Sequence, residues 1–233
     1  MKSLLKTDDG SLTILHKEHG QAYHSSAGAL LEARSLYIDG SKIADSFDDS
    51  VECIRVLDVG LGLGYNALAT IECFMSVPSR CNVELVSLEN ELDVFELLRL
   101  GKGEWQQNWN NQWLEWCGSI EKIENSTYKA TLKNSLGSML SWTIIISDAH
   151  DVDLKKFGLF SYIWQDPFSP EMNPSMWNAS WFQKLREVSA SNVKMMSYSV
   201  ARIVKDACTE AGFSFERIPA SGRKRHWLKV FLK

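Results

Sequence analysis

The chain has 233 residues, 45% of them apolar and 23% charged, and a formal net charge of −4. That is enough for one α/β domain with its own core and the balance of an ordinary globular protein, not of one coated in basic surface. No apolar run reaches the roughly 18 residues that span a bilayer, and the opening MKSLLKTDDGS lacks the apolar stretch of a secretory signal, so a cytoplasmic protein with no membrane partner is expected.

The first forty residues, with GSLTILHKEHG and GALLEARSLYI, predict a small strand element followed by a helix. A polar break from Asp39 to Ser50 leads into the main pattern, so residues 1–50 are expected as an extension packed on a core of residues 51–233. Ile54–Val59 is an apolar run of the kind found in buried parallel strands. Asn66–Met75 has helical spacing, Val83–Leu88 predicts a second strand and Leu92–Leu100 a second helix. Trp105, Trp109, Trp113 and Trp116 recur at helical steps, which predicts one helical face. A core-facing stripe is the expectation, with an exposed base-stacking platform as the alternative.

Tyr128–Ile146 predicts strand, turn, strand. Ser161–Trp164 is another short strand, Met176–Ser189 an amphipathic helix, Lys194–Tyr198 a strand and Val200–Ala211 a helix closed by Gly212. Phe213–Ile218 and His226–Leu232 form a final strand pair. Strands alternating with helices predict a mostly parallel sheet with helices on both faces and an antiparallel edge at the C-terminus.

The five cysteines are scattered and form no Cys-x-x-Cys pair, so they predict reduced thiols rather than a zinc site or a disulfide framework. His16 and His19 form a His-x-x-His pair for which no carboxylate or cysteine completes a ligand set, and no metal is expected.

The chemistry gathers at strand ends. Asp58–Asn66, DVGLGLGYN, carries Gly60, Gly62 and Gly64 straight after the first long strand. Glycines there let backbone approach a ligand with no Cβ between. The spacing is not Gly-x-Gly-x-x-Gly, and no Gly-Lys-Ser/Thr follows, so neither a dinucleotide fingerprint nor a P-loop is present. Glu89 closes the second strand, where an acid can accept from both ribose hydroxyls. Asp148 follows the third long strand, where a carboxylate can accept from the adenine amine. Together these describe an adenosine site without a pyrophosphate requirement, the pattern of Rossmann-like, class I S-adenosylmethionine-dependent methyltransferases. The next strand ends in Asp166-Pro167-Phe168, similar to the Asp-Pro-Pro-Tyr/Phe loop of enzymes that methylate amines. A carboxylate there can accept a hydrogen bond from the amine, fix its lone pair and take up a proton. Phe168 can stack on a base or face a cationic amine.

The string IWQDPFSPEMNPSMW, with YHSSAGALLEA before it and GRKRHWLK after it, resembles the MnmC methyltransferase family, which forms 5-methylaminomethyl-2-thiouridine in tRNA. The resemblance implies methyl transfer from S-adenosylmethionine to the aminomethyl group of the wobble uridine. It implies Gly60, Gly62, Gly64 and Asn66 in the cofactor loop, Glu89 at the ribose, Asp148 at the adenine and Asp166 at the amine. It implies that Tyr23, His24 and Glu32 close over the cofactor, or cap the fold, and that Arg223, Lys224 and Arg225 contact tRNA phosphates. Many members carry a flavin-dependent oxidase fused to this domain. No flavin fingerprint occurs here, so a separate enzyme is expected to supply the amine. Gln165 and Ala190-Ser191-Asn192 depart from the family pattern. An aminopropyltransferase, a methyltransferase of another amine and a non-catalytic RNA-binding protein are the competing readings.

Overall fold

The computed structural model describes residues 3–16, 20–48, 50–220 and 225–233. Two short strands, β1 (Leu4–Lys6) and β2 (Leu12–Ile14), pair antiparallel at the N-terminus. Helix α1 (Ala29–Glu32) then widens into a π-helical turn over Ala33–Asp39. The expected polar break is partly structured: Ile43–Ser46 is a 3-10 turn, and Ile43 and Phe47 are buried.

The remaining chain runs β3 (Cys53–Val59), α2 (Tyr65–Ser76), β4 (Asn82–Glu89), α3 (Leu92–Arg99), α4 (Asn111–Gly118), β5 (Glu121–Glu124), β6 (Thr127–Lys133) and β7 (Met139–Ile146). It continues through β8 (Phe160–Gln165), α5 (Ala179–Glu187), β9 (Ser189–Ser197), α6 (Arg202–Glu210), β10 (Ser214–Pro219) and β11 (His226–Phe231). Nine strands form one sheet in the order β10-β11-β9-β8-β3-β4-β7-β6-β5. The central five, β9-β8-β3-β4-β7, are parallel. The expected antiparallel C-terminal edge is present, since β11 runs against both β9 and β10. A second antiparallel edge, β7-β6-β5, lies at the other side. Strand β5 has every residue exposed and so carries no alternating apolar pattern to announce it. Among the described residues no helix is long and apolar enough to cross a membrane.

Two apolar layers hold the sheet. On one face Ile54, Val56, Leu85 and Trp164 pack with Leu36, Tyr37, Leu68, Phe74, Phe95 and Leu98 from the N-terminal segment and α2–α3. On the other, Leu57, Val59, Ile163 and Met195 pack with Trp181, Phe182, Leu185, Val204 and Cys208 from α5 and α6. The alternation of side chains along each strand makes both faces apolar, as a sheet covered on two sides requires.

The tryptophan stripe does not form one helix. Glu104–Asn108 is a 3-10 turn, Trp109 is extended, and α4 starts only at Asn111. Asn110 caps the second element, accepting from the Trp113 amide at 2.8 Å. Trp105, Trp113 and Trp116 are buried in the core, which removes them as a stacking platform. The helix expected over Met176–Ser189 is shorter for the same reason: Asn178 caps α5 through the Trp181 amide. Ala190-Ser191-Asn192 then lies inside β9, which begins five positions before the expected Lys194.

The chain order puts β4 on one side of β3 and β8 on the other, so a cleft opens at their carboxyl ends, the switch point where open α/β sheets bind ligands. Register carries one more element to this end. His226 opens β11, and Leu228 pairs with Ser197 at the carboxyl end of β9. The end of β10 at Pro219 and the start of β11 at His226 therefore lie at the same end of the sheet as the cleft.

Gly64 joins the loop to α2 with φ +87°, and a Cβ there would meet Leu98 Cδ1 at 3.0 Å. Gly64→Ala combines a left-handed backbone with that contact. It is expected to lower unfolding free energy by about 1–3 kcal/mol, read as a lower urea midpoint at unchanged slope.

Candidate active site

A cavity of about 510 Å³ fills the switch-point cleft, within the roughly 300–1,000 Å³ usual for small-molecule sites. Its wall takes in Tyr23, His24 and Glu32 from the N-terminal segment, Gly60 and Gly62 from the loop after β3, and Glu89 and Glu91 from the end of β4. Asp148 joins from beyond β7, Asp166 and Phe168 from beyond β8, and Tyr198 from the end of β9. Among the described residues five carboxylates line it, those of Glu32, Glu89, Glu91, Asp148 and Asp166, and no lysine or arginine does. The space suits a ligand bearing positive charge.

The glycine loop is built by close approach. A Cβ on Gly60 would meet the Asp166 carbonyl oxygen at 3.0 Å, and one on Gly62 would meet the Tyr23 ring at 3.1 Å. Both residues have positive φ, +87° and +53°, so glycine satisfies conformation and space together. The Gly62 amide donates to Glu89 Oε2 at 2.7 Å, and the amides of Asn90 and Glu91 donate to Oε1 at 2.8 and 2.9 Å. Three of the roughly four lone-pair directions of the carboxylate are thereby used. Glu89 fastens the loop and keeps about one acceptor direction for a ligand, not the two that both ribose hydroxyls would take. Burial raises its pKa, and the three amides work against that rise.

Gly64 and Asn66 stand behind the cavity wall. Gly64 packs α2 on α3, as above. Asn66 is buried and donates from Nδ2 to Asp166 Oδ2 at 2.6 Å. One turn further along α2, the Thr70 hydroxyl accepts from Trp164 Nε1 at 3.0 Å. The loop after β8 is strapped by its carbonyls. Trp177 Nε1 donates to the Phe168 oxygen at 2.7 Å and the Tyr198 hydroxyl to the Pro167 oxygen at 2.9 Å. Gln165 is buried and bridges two elements, donating to the Met176 carbonyl at 2.7 Å and accepting from Trp181 Nε1 at 3.1 Å. That departure from the family pattern is a scaffold bond beneath the loop.

Over the cavity, the Tyr23 and Phe168 rings meet edge to face at 5.0 Å, with the His16 ring 5.1 Å from Phe168. The Tyr23 hydroxyl donates to Glu91 Oε2 at 3.1 Å, and Glu91 Oε1 is paired with His16 Nε2. Burial, then the charges of Glu91 and Glu89, push the Tyr23 pKa well up. His24 packs on Tyr65 at 5.0 Å. Asp148 is exposed, and one of its oxygens accepts from the His150 amide at 2.8 Å. Arg225 is exposed beside the β10–β11 turn, its carbonyl accepting from the Ala220 amide at 3.2 Å. Arg223, Lys224 and His19 lie outside the described residues.

Sequence reasoning passed over Glu91 and Asp58. Glu91 is announced only by standing two positions after Glu89. Asp58 is fully buried in β3, its Oδ2 accepting from the Ser87 hydroxyl at 2.8 Å while Oδ1 has no partner. A carboxylate in the apolar end of the strand, directly before the glycine loop, was the available signal.

Strand order, glycine loop and strand-end acids are together those of a Rossmann-like, class I S-adenosylmethionine-dependent methyltransferase. The chain belongs to an S-adenosyl-L-methionine-dependent methyltransferase family whose model matches residues 102–233. It is 26% identical over 227 residues to the tRNA 5-methylaminomethyl-2-thiouridine biosynthesis bifunctional protein MnmC of Burkholderia vietnamiensis, covering 93% of this chain and 33% of that one. The protein of the same name from Leptospira interrogans is 25% identical over 229 residues, covering 94% and 33%. The chain thus spans about a third of the length of the curated relatives it matches. Among solved structures, MnmC2 from Aquifex aeolicus superposes with a TM-score of 0.80 at 26% identity, covering 100% of this chain and 71% of that one. The cofactor of the family is S-adenosylmethionine, and an acid-lined cavity with a glycine cradle suits its adenosine and sulfonium.

Burial lifts the Asp58 carboxyl to about 7, against the Ser87 hydrogen bond and with help from the charge of Glu89. Its ordinary value is 3.8, so ionisation opposes folding: the contribution is fully present below about pH 4 and is lost as pH rises through 7. At about 1.36 kcal/mol per unit the loss approaches ~4 kcal/mol as an upper bound. Asp58→Asn is expected to be more stable than wild type at pH 8 and to converge with it near pH 4, measured by urea unfolding at both.

Proposed function

We propose that this chain methylates the exocyclic amine of an aminomethylated wobble uridine in tRNA. The observation that carries the reading is Asp166, held at the cavity wall by Asn66, beside the aromatic pair Tyr23 and Phe168. The names of the relatives from Burkholderia and Leptospira supply the substrate class.

S-adenosylmethionine supplies an electrophilic methyl group on a sulfonium. In this reading Glu89 accepts from a ribose hydroxyl, Asp148 from the adenine amine, and Gly60 and Gly62 leave room for the cofactor chain. Tyr23 and Glu32 close the cavity from the N-terminal segment, residues 1–50, which we take as an extension on the methyltransferase unit of residues 51–233. Asp166 accepts a hydrogen bond from the incoming neutral amine and aims its lone pair at the methyl group. It then takes the proton that the alkylated nitrogen releases and passes it to water. Phe168 and Tyr23 hold the uracil plane, which costs the base little because any base offers a π-face. The phosphates fall to the β10–β11 turn, where Arg225 stands and the Arg223-Lys224 pair precedes it. An enzyme that makes the aminomethyl group supplies the substrate.

The same acids would also admit a polyamine, which makes polyamines the competing acceptors to test. The methyltransferase family favours methyl transfer over aminopropyl transfer.

Labelled S-adenosylmethionine incubated with tRNA bearing 5-aminomethyl-2-thiouridine should place label in the wobble nucleoside. Asp166→Ala should lower that rate by about 10²-fold or more, with S-adenosylhomocysteine affinity kept. Label in spermidine and none in tRNA would remove the tRNA assignment. Arg225→Ala is expected to weaken tRNA binding across sequences and to reduce the slope of log affinity against log salt by about one. Filter binding over a salt series checks it, and an unchanged slope would move the docking face elsewhere.

A further inference from the structure

The carboxylate of Asp166 has more behind it than Asn66. Trp164 stands near the end of β8 and Asp166 is the first residue past it, and both reach α2, Trp164 through Thr70 and Asp166 through Asn66, the side that also carries the N-terminal segment. On that side the Tyr37 ring lies against Trp164, with centroids 5.6 Å apart. Tyr37 is completely buried; no acceptor stands in good hydrogen-bond geometry to its hydroxyl, yet Asp166 is close enough to act on it as a hydrogen-bond acceptor. A buried hydroxyl without a well-formed bond is rare and calls for an explanation. The nearest charge is the explanation on offer. Burial first, then the Asp166 carboxylate, push the Tyr37 hydroxyl pKa far up, with smaller contributions from Glu32 and Tyr198. Tyr198 in turn feels burial, Asp166, Glu32 and Glu171. Among the described residues, Tyr37 and Tyr198 both feel Asp166, and Glu32 acts on both. Neither tyrosine can act as a base there; Tyr198 already donates to the Pro167 oxygen, and Tyr37 keeps its proton to give.

Tyr37 also sits in the π-helical turn Ala33–Asp39. Such wide turns are uncommon and often mark functional positions, because the extra residue swings one side chain out of helical register. Tyr37 does not reach the cavity wall, whereas Asp166 does. It approaches from behind.

We propose that Tyr37 is a positioning residue for Asp166: its hydroxyl donates to the carboxylate from behind the cavity wall, as Asn66 does to Oδ2, and together they turn the carboxylate toward the substrate amine. The inference rests on Asp166 as the residue that meets the amine. It adds that the N-terminal segment completes the catalytic end of the site, beyond covering the cofactor. Two donors hold the carboxylate in one rotamer and favour its charged form. Rotation of the hydroxyl, or a small turn of the carboxylate as substrate enters, is enough to make the bond, since catalytic hydrogen bonds often tighten only in the complex.

The test reads Asp166 directly. The full chain is labelled with ¹³C at aspartate carboxyls, the Asp166 signal is assigned by its loss in Asp166→Asn, and its titration is followed in wild type and in Tyr37→Phe. The midpoint is expected to move up by about one pH unit in Tyr37→Phe, as loss of a donor to the charged form requires. Substituting 3-fluorotyrosine at position 37, a stronger donor of the same shape, should move it the other way and stands in if Tyr37→Phe folds poorly. With aminomethyl-uridine tRNA, Tyr37→Phe should lower kcat about tenfold and leave KM for tRNA within about twofold. An Asp166 midpoint unmoved by both substitutions overturns the proposal, whatever the activity. Wild-type protein that moves no methyl to this tRNA would sink the substrate reading instead, and the titration would still decide Tyr37.

Discussion

The hydrogen bond from Asn66 to Asp166 ties together parts of the chain that are 100 positions apart, and the site depends on it. It forms because two periods match. One turn of α-helix advances about 5.4–6 Å, and two residues of strand advance about 6.6 Å. Asn66 and Thr70, one turn apart on α2, can therefore meet Asp166, just past the end of β8, and Trp164, two residues before it on the strand, in a two-rung ladder. The lower rung joins two buried groups and fixes how α2 lies on the sheet. The upper rung uses that alignment to orient a carboxylate at the rim of the cavity. Stability and chemistry share one piece of geometry.

Electrostatics follow a similar economy. Acids converge on the cleft, yet they do not simply repel one another. Glu89 is neutralised in effect by three backbone amides, and Glu91 by His16 and the Tyr23 hydroxyl. Asp166 has Asn66. Glu89, Glu91 and Asp166 are each held by a donor from another element, so the negative potential of the cavity is set by the fold and is ready before a cation arrives. Asp58 is the exception, half-satisfied beneath the loop, and it is the group whose burial lifts its pKa to about 7.

Much of this was legible in the residues. Apolar runs such as Ile54–Val59 and Val83–Leu88, each ending at glycines or an acid, announced parallel strands and the ligand end of the sheet. The Asp166-Pro167-Phe168 loop announced itself by composition. What escaped notice had three physical causes. Asn110 and Asn178 cap helices inside patterns that otherwise look continuously helical, because a capping side chain interrupts a helix without breaking its apolar spacing. Contacts such as Asn66 with Asp166, or Tyr37 with Trp164, arise only once the helices have been laid on the sheet, and no local pattern encodes them. Glu89 was read correctly as a strand-end acid, but its three amide partners follow from how the loop folds back. The exposed strand β5 left no trace because it buries nothing.

The straps on the loop after β8 carry a last consequence. Trp177 and Tyr198 grip the carbonyl oxygens of Phe168 and Pro167, and Gly60 packs on the carbonyl of Asp166. The loop's path is thus written in main-chain atoms that every amino acid possesses. The side chain at position 168 can be exchanged without redrawing that path. A scaffold of this kind can be retuned toward a differently shaped acceptor by single substitutions, with Asp166 kept where it is.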